Sequence, residues 1–346
     1  MVPMSGGAVA SQPEGLLDGG VWFRVEEPGT ASAVRRAAER LAADLAMPEK
    51  RVADLSIVAA EAAGNLVKHA DQGTILVRAV RAADQAGVEL IAVDSGPGMA
   101  DVDRAIGDGH STAGTLGIGL GAILRQASRW DLHSVPGRGT VLVVQVWPGV
   151  APEPSWAAGL TRPLTGESVS GDACAVREID GRRQMLVSDG LGHGGLAAAA
   201  SHEAVRVFRE APAVPPAQMV ELLHRALGHT RGAALAVAEA DRESAVIRYA
   251  GLGNISGTVL APDGSRRGMV SMPGIAGHQR RQVREYDYPL APGAIVLMHS
   301  DGVVDRWNAA DSPGLLIRTP AVIAATVLRD AGTRRDDAGV LVARFS

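Results

Sequence analysis

The run Val187-Ser188-Asp189-Gly190-Leu191-Gly192-His193-Gly194-Gly195 constrains this chain more than any other stretch. Met185-Leu186-Val187 delivers an aspartate into a turn made largely of glycine, and an alanine-rich helix is expected from Leu196. Glycine tolerates positive φ and lets other atoms approach the backbone, so such a turn implies something packed against it. A carboxylate at the end of a rigid strand, beside free carbonyls, is what a hard divalent cation needs. One isolated Asp-Gly reads more simply as a strand-to-helix connection. Recurrence changes that balance. Gly171-Asp172 follows small and apolar residues, Ser300-Asp301-Gly302 follows Ile295-Val296-Leu297-Met298, and Asp336-Asp337 precedes Val340-Leu341-Val342. Acidic turns recurring at strand ends within one half of the chain predict a shared carboxylate cluster.

A length of 346 residues predicts two domains. Hydrophobic residues make up 46% and aromatics only 3%, so alanine, valine and leucine must fill the cores. A net charge of −4 leaves no electrostatic footprint for nucleic acid or an anionic membrane. The single cysteine, Cys174, excludes an internal disulfide and reads as buried strand filler in a reducing compartment. The N-terminus lacks the basic start and apolar core of a signal peptide, and nowhere do 18 apolar residues run together. A cytoplasmic protein with no membrane or nucleic-acid partner is expected.

Residues 1–20 are Gly, Ala, Ser and Pro without periodicity and are expected to form a disordered tail. A strand is expected at 21–25 and a helix over 30–45, ended before Pro48. In the next helix, over 50–70, Val52, Leu55, Val58, Ala59, Ala62 and Leu66 share one side. Glu61, Asn65, Lys68 and His69 share the other, and Glu61 stands one turn from Asn65, so their polar ends can converge. Such a face is either solvated or built for a ligand. A strand at 88–93 runs into Asp94-Ser95-Gly96-Pro97-Gly98. Later, Gly114-Thr115-Leu116-Gly117-Ile118-Gly119 leads into a helix at 122–127. A glycine-rich turn at a helix N-terminus offers free N–H groups to phosphate. Gly139-Thr140 then opens a strand at 141–146. His69 and His110 have no partner at metal-ligand spacing.

Glu61-xxx-Asn65, Asp94-x-Gly96-x-Gly98, Gly117-x-Gly119 and Gly139-Thr140, in this order, resemble the boxes of GHKL-type ATP-binding domains. The span 21–148 is similar to their short serine-kinase branch, the anti-sigma and switch kinases, as are 64–70, 108–112 and the Trp147 ending. The resemblance implies an α/β sandwich that binds ATP. Asp94 would accept the adenine amino group, with Thr140 supporting it. Asn65 would hold Mg²⁺ against the triphosphate, and Glu61 would be the general base on an attacking serine. Gly96 and Gly98 would admit the nucleotide, and Gly117 and Gly119 would wrap its phosphates.

Residues 149–160 are proline-rich and aperiodic, a semi-rigid linker expected to leave the halves independent. Beyond them, helices are expected at 196–209, 216–229 and 320–331. Strands are expected at 233–238, 245–249, 255–260, 282–288, 294–298 and 338–345. Many strands with few helices imply a layered α+β sandwich. Ser170-Gly171-Asp172, Ser188-Asp189-Gly190-Leu191-Gly192-His193-Gly194, Gly251-Leu252-Gly253-Asn254, Ser300-Asp301-Gly302 and Asp336-Asp337 are similar to the motifs of SpoIIE-like metal-dependent (PPM) phosphatases. That resemblance covers 161–346 and implies an α-β-β-α sandwich. Asp172, Asp189, Asp301 and Asp336, with the carbonyl of Gly190, would hold two Mg²⁺ or Mn²⁺ ions for hydrolysis of phosphoserine or phosphothreonine. Ala234 and Gly339 stand where that branch has threonine. His193 is read either as a proton donor or as an exposed turn residue.

Together the resemblances imply a bifunctional partner-switching regulator, a serine kinase in front of a phosphatase, acting on STAS-domain antagonist proteins. The alternative makes the first half a non-catalytic ATP-dependent module that captures a sigma factor or STAS protein. Glu61 favours catalysis, because capture needs no base.

Overall fold

The computed structural model describes residues 19–82, 84–106, 119–241, 245–279 and 282–345. The tail up to residue 18, the 108–112 motif and Gly117 lie outside them.

In the first half, strands β1 (Val21–Arg24), β2 (Thr74–Ala82), β3 (Gln85–Val93), β4 (Arg129–Val135) and β5 (Gly139–Val146) form one antiparallel sheet, ordered β1-β2-β3-β5-β4. Helices α1 (Pro28–Asp44) and α2 (Glu49–His69) cover one face, with the short α3 (Val102–Ile106) and α4 (Gly119–Gln126) beside them. Proline in the first turn of α1 costs nothing, because that N–H has no intrahelical acceptor. The stripe Leu55, Val58, Ala59, Ala62 and Leu66 of α2 is buried with Ile75, Leu90 and Val144 of the sheet, which is the packing its period requires. Strand β2 is masked in the sequence by Arg78. That guanidinium is buried and pairs with Glu89, its partner across β3, at 2.6 Å. A neighbour on the next strand neutralises the charge that broke the apolar pattern.

The second half holds two facing sheets. One contains β7 (Asp172–Ile179), β8 (Arg182–Gly190), β9 (Ala233–Asp241), β10 (Val246–Leu252), β13 (Ser271–Met272) and β14 (Tyr286–Pro289). The other runs β12-β11-β15-β16-β6, from β6 (Ala157–Arg162), β11 (Ser256–Leu260), β12 (Arg266–Met269), β15 (Ile295–His299) and β16 (Ala338–Arg344). Between them lie Cys174, Val187, Ala236, Tyr249, Val296 and Leu341. Burial drives the Cys174 thiol far above its ordinary range, which fits filler rather than a nucleophile. Helices α5 (Gly195–Glu210) and α6 (Pro216–Ala226) cover the outer face of the first of these sheets. The strand expected at 282–288 is only Tyr286–Pro289. Glu285 instead accepts the Ala217 N–H in the first turn of α6, at 2.9 Å.

The independence expected of the two halves does not hold. Helix α7 (Pro320–Ala331) lies between the second half's outer sheet and the uncovered face of the first sheet. Leu76, Ile91, Val93, Val141 and Val143 pack in one core with Val322, Val327 and Leu328. Only Thr326, Arg329 and Asp330 of α7 are polar, and a helix that is apolar all round must be buried all round. Asp131 of β4 accepts from both the N–H and the hydroxyl of Thr319 at the helix start, at 2.7 and 2.8 Å. Trp22 and Arg78 donate to the carbonyls of Thr161 and Gly159 at 2.8 and 2.7 Å. The proline-rich segment thus joins two units that already share a core.

Candidate active sites

The second-half site forms where both sheets end on the same side. Asp172 opens β7, and Asp189 lies directly across from it near the end of β8. β15 ends just before Ser300-Asp301, and Asp336-Asp337 enters β16 beside it. Asp172 is 3% exposed. Its Oδ2 accepts the Ser300 hydroxyl at 2.6 Å, and among the described residues no donor reaches its Oδ1, although the carboxyl can share a proton with Asp189. Burial and the Asp189 charge push the Asp172 carboxyl well above the carboxylate range. Asp189 is pushed up to about 7 by burial and by Asp301 and Asp336. Asp301 is raised for the same reasons, burial first and Asp336 next. The carboxylates therefore feel one another as like charges in a partly dry place.

Their supports stand in the motif runs, but the sequence does not show what each one holds. Asn254 donates to Asp301 Oδ2 at 2.6 Å. Asp337 is buried, and its two oxygens accept the Leu164 and Gly171 N–H groups at 2.8 and 2.9 Å. It clamps the loop before β7, while among the described residues Asp336 accepts only the Asp337 N–H. The doubled acid at 336–337 held that division of labour without revealing it. A side chain at Gly190 would stand 2.1 Å from the Ala197 carbonyl, so the first turn of α5 packs on bare backbone there. A side chain at Gly339 would meet Asp172 Oδ2 at 3.1 Å, and Ser300 supplies the hydroxyl at that oxygen. The Cβ of Ala234 faces Gly253. His193 is exposed and held by Glu167 at 2.8 Å.

Among the described residues no three His, Cys, Asp or Glu side chains close on one point tightly enough to encircle a cation. The donor set nonetheless fits a hard divalent ion. It is all oxygen, several carboxylates are held uncomfortably close, and one buried oxygen lacks a donor.

In the first half, Glu61 and Asn65 both reach the start of α4. A Cβ at Gly119 would lie 3.0 Å from Asn65 Oδ1 and 3.6 Å from Glu61 Oε2, so a side chain there would crowd Asn65. Asp94 leaves β3 with Oδ1 accepting the Gly96 N–H at 2.8 Å and its own N–H on the Thr140 carbonyl at 2.9 Å. Burial raises the Asp94 carboxyl, while N–H groups of Gly96 and Thr140 and the charge of Arg329 pull it back. The Thr140 hydroxyl pairs with Ser134 at 2.8 Å, so its support of Asp94 runs through backbone. Gly98 has φ of +65° and lies against the Val135 carbonyl, a close approach that a side chain would block. Gly117 is outside the described residues, so of the Gly117-x-Gly119 pair the structure describes Gly119.

Residues 25–146 match the family described as Histidine kinase-like ATPase domain, and residues 179–346 match Stage II sporulation protein E (SpoIIE). The serine/threonine-protein kinase RsbT of Bacillus subtilis is 32% identical over 115 residues, which is 33% of this chain and 86% of that protein. The chain belongs to the histidine kinase-like ATPase family and carries a SpoIIE domain fused behind it. The phosphoserine phosphatase RsbX of Bacillus subtilis is 21% identical over 183 residues, covering 52% of this chain and 90% of RsbX. A solved chain from "The bacterial stressosome: a modular system that has been adapted to control secondary messenger signaling" is 31% identical with a TM-score of 0.50. That match covers 54% of this chain and 98% of the other. Glu61, Asn65 and Asp94 lie within the residues matched to the ATPase domain, and Asp189, Asp301 and Asp336 within those matched to SpoIIE, with Asp172 just ahead of that match. Among the described residues no helix is long and apolar enough to cross a membrane.

Proposed function

We propose that the chain is a bifunctional partner-switching regulator of the cytoplasm. Residues 21–148 act as an ATP-dependent serine kinase, 149–160 connect, and 161–346 act as a Mg²⁺- or Mn²⁺-dependent phosphoserine and phosphothreonine phosphatase. The observation that carries the phosphatase reading is Asp172 Oδ1, a buried carboxylate oxygen without a donor, set across from Asp189. Such an oxygen is comfortable only when protonated or faced by a cation.

Asp172, Asp189, Asp301, Asp336 and the Gly190 carbonyl would hold the divalent ions, which when bound neutralise the cluster and polarise a phosphoryl group. The protein's own part is orientation. Ser300 fixes Asp172, Asn254 fixes Asp301, and Asp337 pins the loop before β7. An open cleft of about 450 Å³, lined by Asn254, Ser256, Arg266, Ser271 and Asp305, starts beside Asp301 and takes the segment carrying the phosphorylated residue.

In the ATPase domain, Asp94 takes the adenine amino group, Asn65 faces the triphosphate with its Mg²⁺, and Glu61 accepts the proton of the attacking serine. Gly96, Gly98, Gly117, Gly119 and Thr140 shape the pocket. Phosphoryl transfer needs mainly positioning and charge neutralisation, which this set supplies. The likeness to a serine/threonine-protein kinase and to a phosphoserine phosphatase supports a protein serine as the target of both activities, and the motif resemblance makes STAS-domain antagonists the substrates to test.

The test is transfer of label from γ-labelled ATP to a STAS protein, followed by its release by the same chain with Mn²⁺. Release that persists in excess chelator sinks the phosphatase reading. Absence of transfer, with ATP-dependent binding of the STAS protein retained, makes the first domain a capture module instead.

A further inference from the structure

The last turn of α7 touches both candidate sites. Arg329 Nη1 donates to the backbone carbonyl of Asp94 at 3.3 Å. The Arg329 side chain is 5% exposed, its Nε is held by Asp330 at 2.6 Å, and its Nη2 is buried without a partner among the described residues. Asp330 also faces Arg138 at 3.6 Å, on the turn that leads into Thr140. Two strand ends that shape the adenine side of the first domain are therefore gripped by adjacent residues of the second.

The same turn also grips the aspartate cluster. The Ala331 carbonyl accepts the Val304 N–H at 2.9 Å, and the Thr333 N–H donates to the Gly302 carbonyl at 2.7 Å. Gly332 forms a bridge with Val303 between those bonds. The turn holding Asp301 is thus stitched to the end of α7 by main chain. Arg334 reaches back to Gln72 of the ATPase domain at 3.1 Å, and the chain then delivers Asp336 and Asp337. A path of direct bonds leads from Asp94 through Arg329 to Asp301, and along the chain to Asp336.

We propose that Arg329, from the SpoIIE domain, is a positioning residue of the nucleotide site, and that through it nucleotide binding at Asp94 resets the Asp301 turn. This rests on the nucleotide reading of Asp94 given above. The transmission is mechanical. Residues 321–328 of α7 are packed between two sheets, so a pull on the last turn is passed to a helix held on both sides. A ligand that moves the Asp94 carbonyl moves Arg329, and the bonds at 331 and 333 carry the shift to Gly302 and Val304. Linkage makes the effect reciprocal, so occupancy of the aspartate cluster alters nucleotide affinity by the same factor.

The probe is ADP, with Mg²⁺ at one fixed concentration in every arm, on the full chain. Binding is measured by calorimetry, and hydrogen exchange is followed at 299–304 and 331–339. ADP is expected to change exchange in both segments by about fivefold or more, the usual scale of such coupling. Arg329→Met is expected to weaken ADP binding by a similar factor and to abolish the exchange response, and Arg329→Lys to restore part of it. An arginine that merely glued the domains would leave the wild-type exchange unmoved by ADP. Unchanged exchange in the wild type with ADP bound overturns the proposal, as does a full response in Arg329→Met. If Arg329→Met fails to fold, the wild-type exchange decides alone. If the folded wild type binds no ADP, the nucleotide reading of Asp94 falls, and this inference falls with it.

Discussion

Replacing Asp189 with asparagine should stabilise the chelated protein while abolishing its response to metal. Asp189 is raised from 3.8 to about 7 by burial and by the charges of Asp301 and Asp336. A carboxyl raised on folding binds its proton more tightly in the folded state. Its stabilising contribution is therefore full below about pH 4 and is lost as pH rises through about 7. At about 1.4 kcal/mol per pH unit, that interval represents about 4 kcal/mol. Asp189 keeps an edge in water, and Asp172 competes for the same proton, so about 2 kcal/mol is the working figure. The substituted amide carries no charge and should show none of this loss. The assay is urea unfolding in chelator from pH 4 to 8, followed by tryptophan fluorescence. The two proteins should converge near pH 4 and separate by about 2 kcal/mol at pH 8, with the variant the more stable. Added Mn²⁺ should then stabilise the wild type and not the variant, because only a state that binds ligand gains by mass action. Equal pH slopes for the two proteins, or a variant less stable at pH 8, would refute the account of a strained carboxylate cluster.

Glu61→Gln should keep nucleotide binding by calorimetry while label transfer to the STAS protein falls by a factor of about 10²–10⁴, the contribution of a general base. Asp94→Asn should weaken ATP binding by about 1–3 kcal/mol through loss of the acceptor matched to the adenine amino group, and unchanged affinity in calorimetry would remove Asp94 from the site. Gly302→Ala would place a Cβ 1.8 Å from the Asp337 carbonyl, so the turn must move. A loss of about 1–3 kcal/mol in urea unfolding, with reduced phosphatase turnover, is expected, and a neutral melt would show that the turn is slack.

Much of the fold was legible because its periods are plain. The stripe of α2 and the apolar runs of β3 and β5 report their partners directly. Strand β2 was hidden by Arg78, whose neutralisation by Glu89 exists only once the strands pair. At the sites, the aspartates stood out by repetition at strand ends. Asn254, Ser300 and Asp337 act through contacts as far apart as Ser300 and Asp172, which no local pattern encodes. Arg329 left no trace at all, since its partner Asp94 lies in the other half of the chain.

One signal was present and points to why the halves are not separable. Val88-Glu89-Leu90-Ile91-Ala92-Val93 and Val141-Leu142-Val143-Val144-Gln145-Val146 are nearly continuous apolar runs rather than alternating ones. A strand of that kind has both faces covered. Helices α1 and α2 can cover only one. Pro320-Ala321-Val322-Ile323-Ala324-Ala325-Thr326-Val327-Leu328 lacks a polar face in the same way and needs covering on both sides. Each feature is a surplus of apolar surface within its own domain, and together they cancel. Five side chains of the first sheet, Leu76, Ile91, Val93, Val141 and Val143, are buried in that shared core. At about 1.5–3 kcal/mol for each fully buried side chain, separating the halves would expose on the order of 10 kcal/mol of gross burial. That is comparable to the whole stability of an ordinary domain. Fragments cut in the proline-rich segment would therefore report the damage of exposing this face, not the independence of two activities. Whether the kinase and phosphatase sites act separately has to be asked with single substitutions in the intact chain.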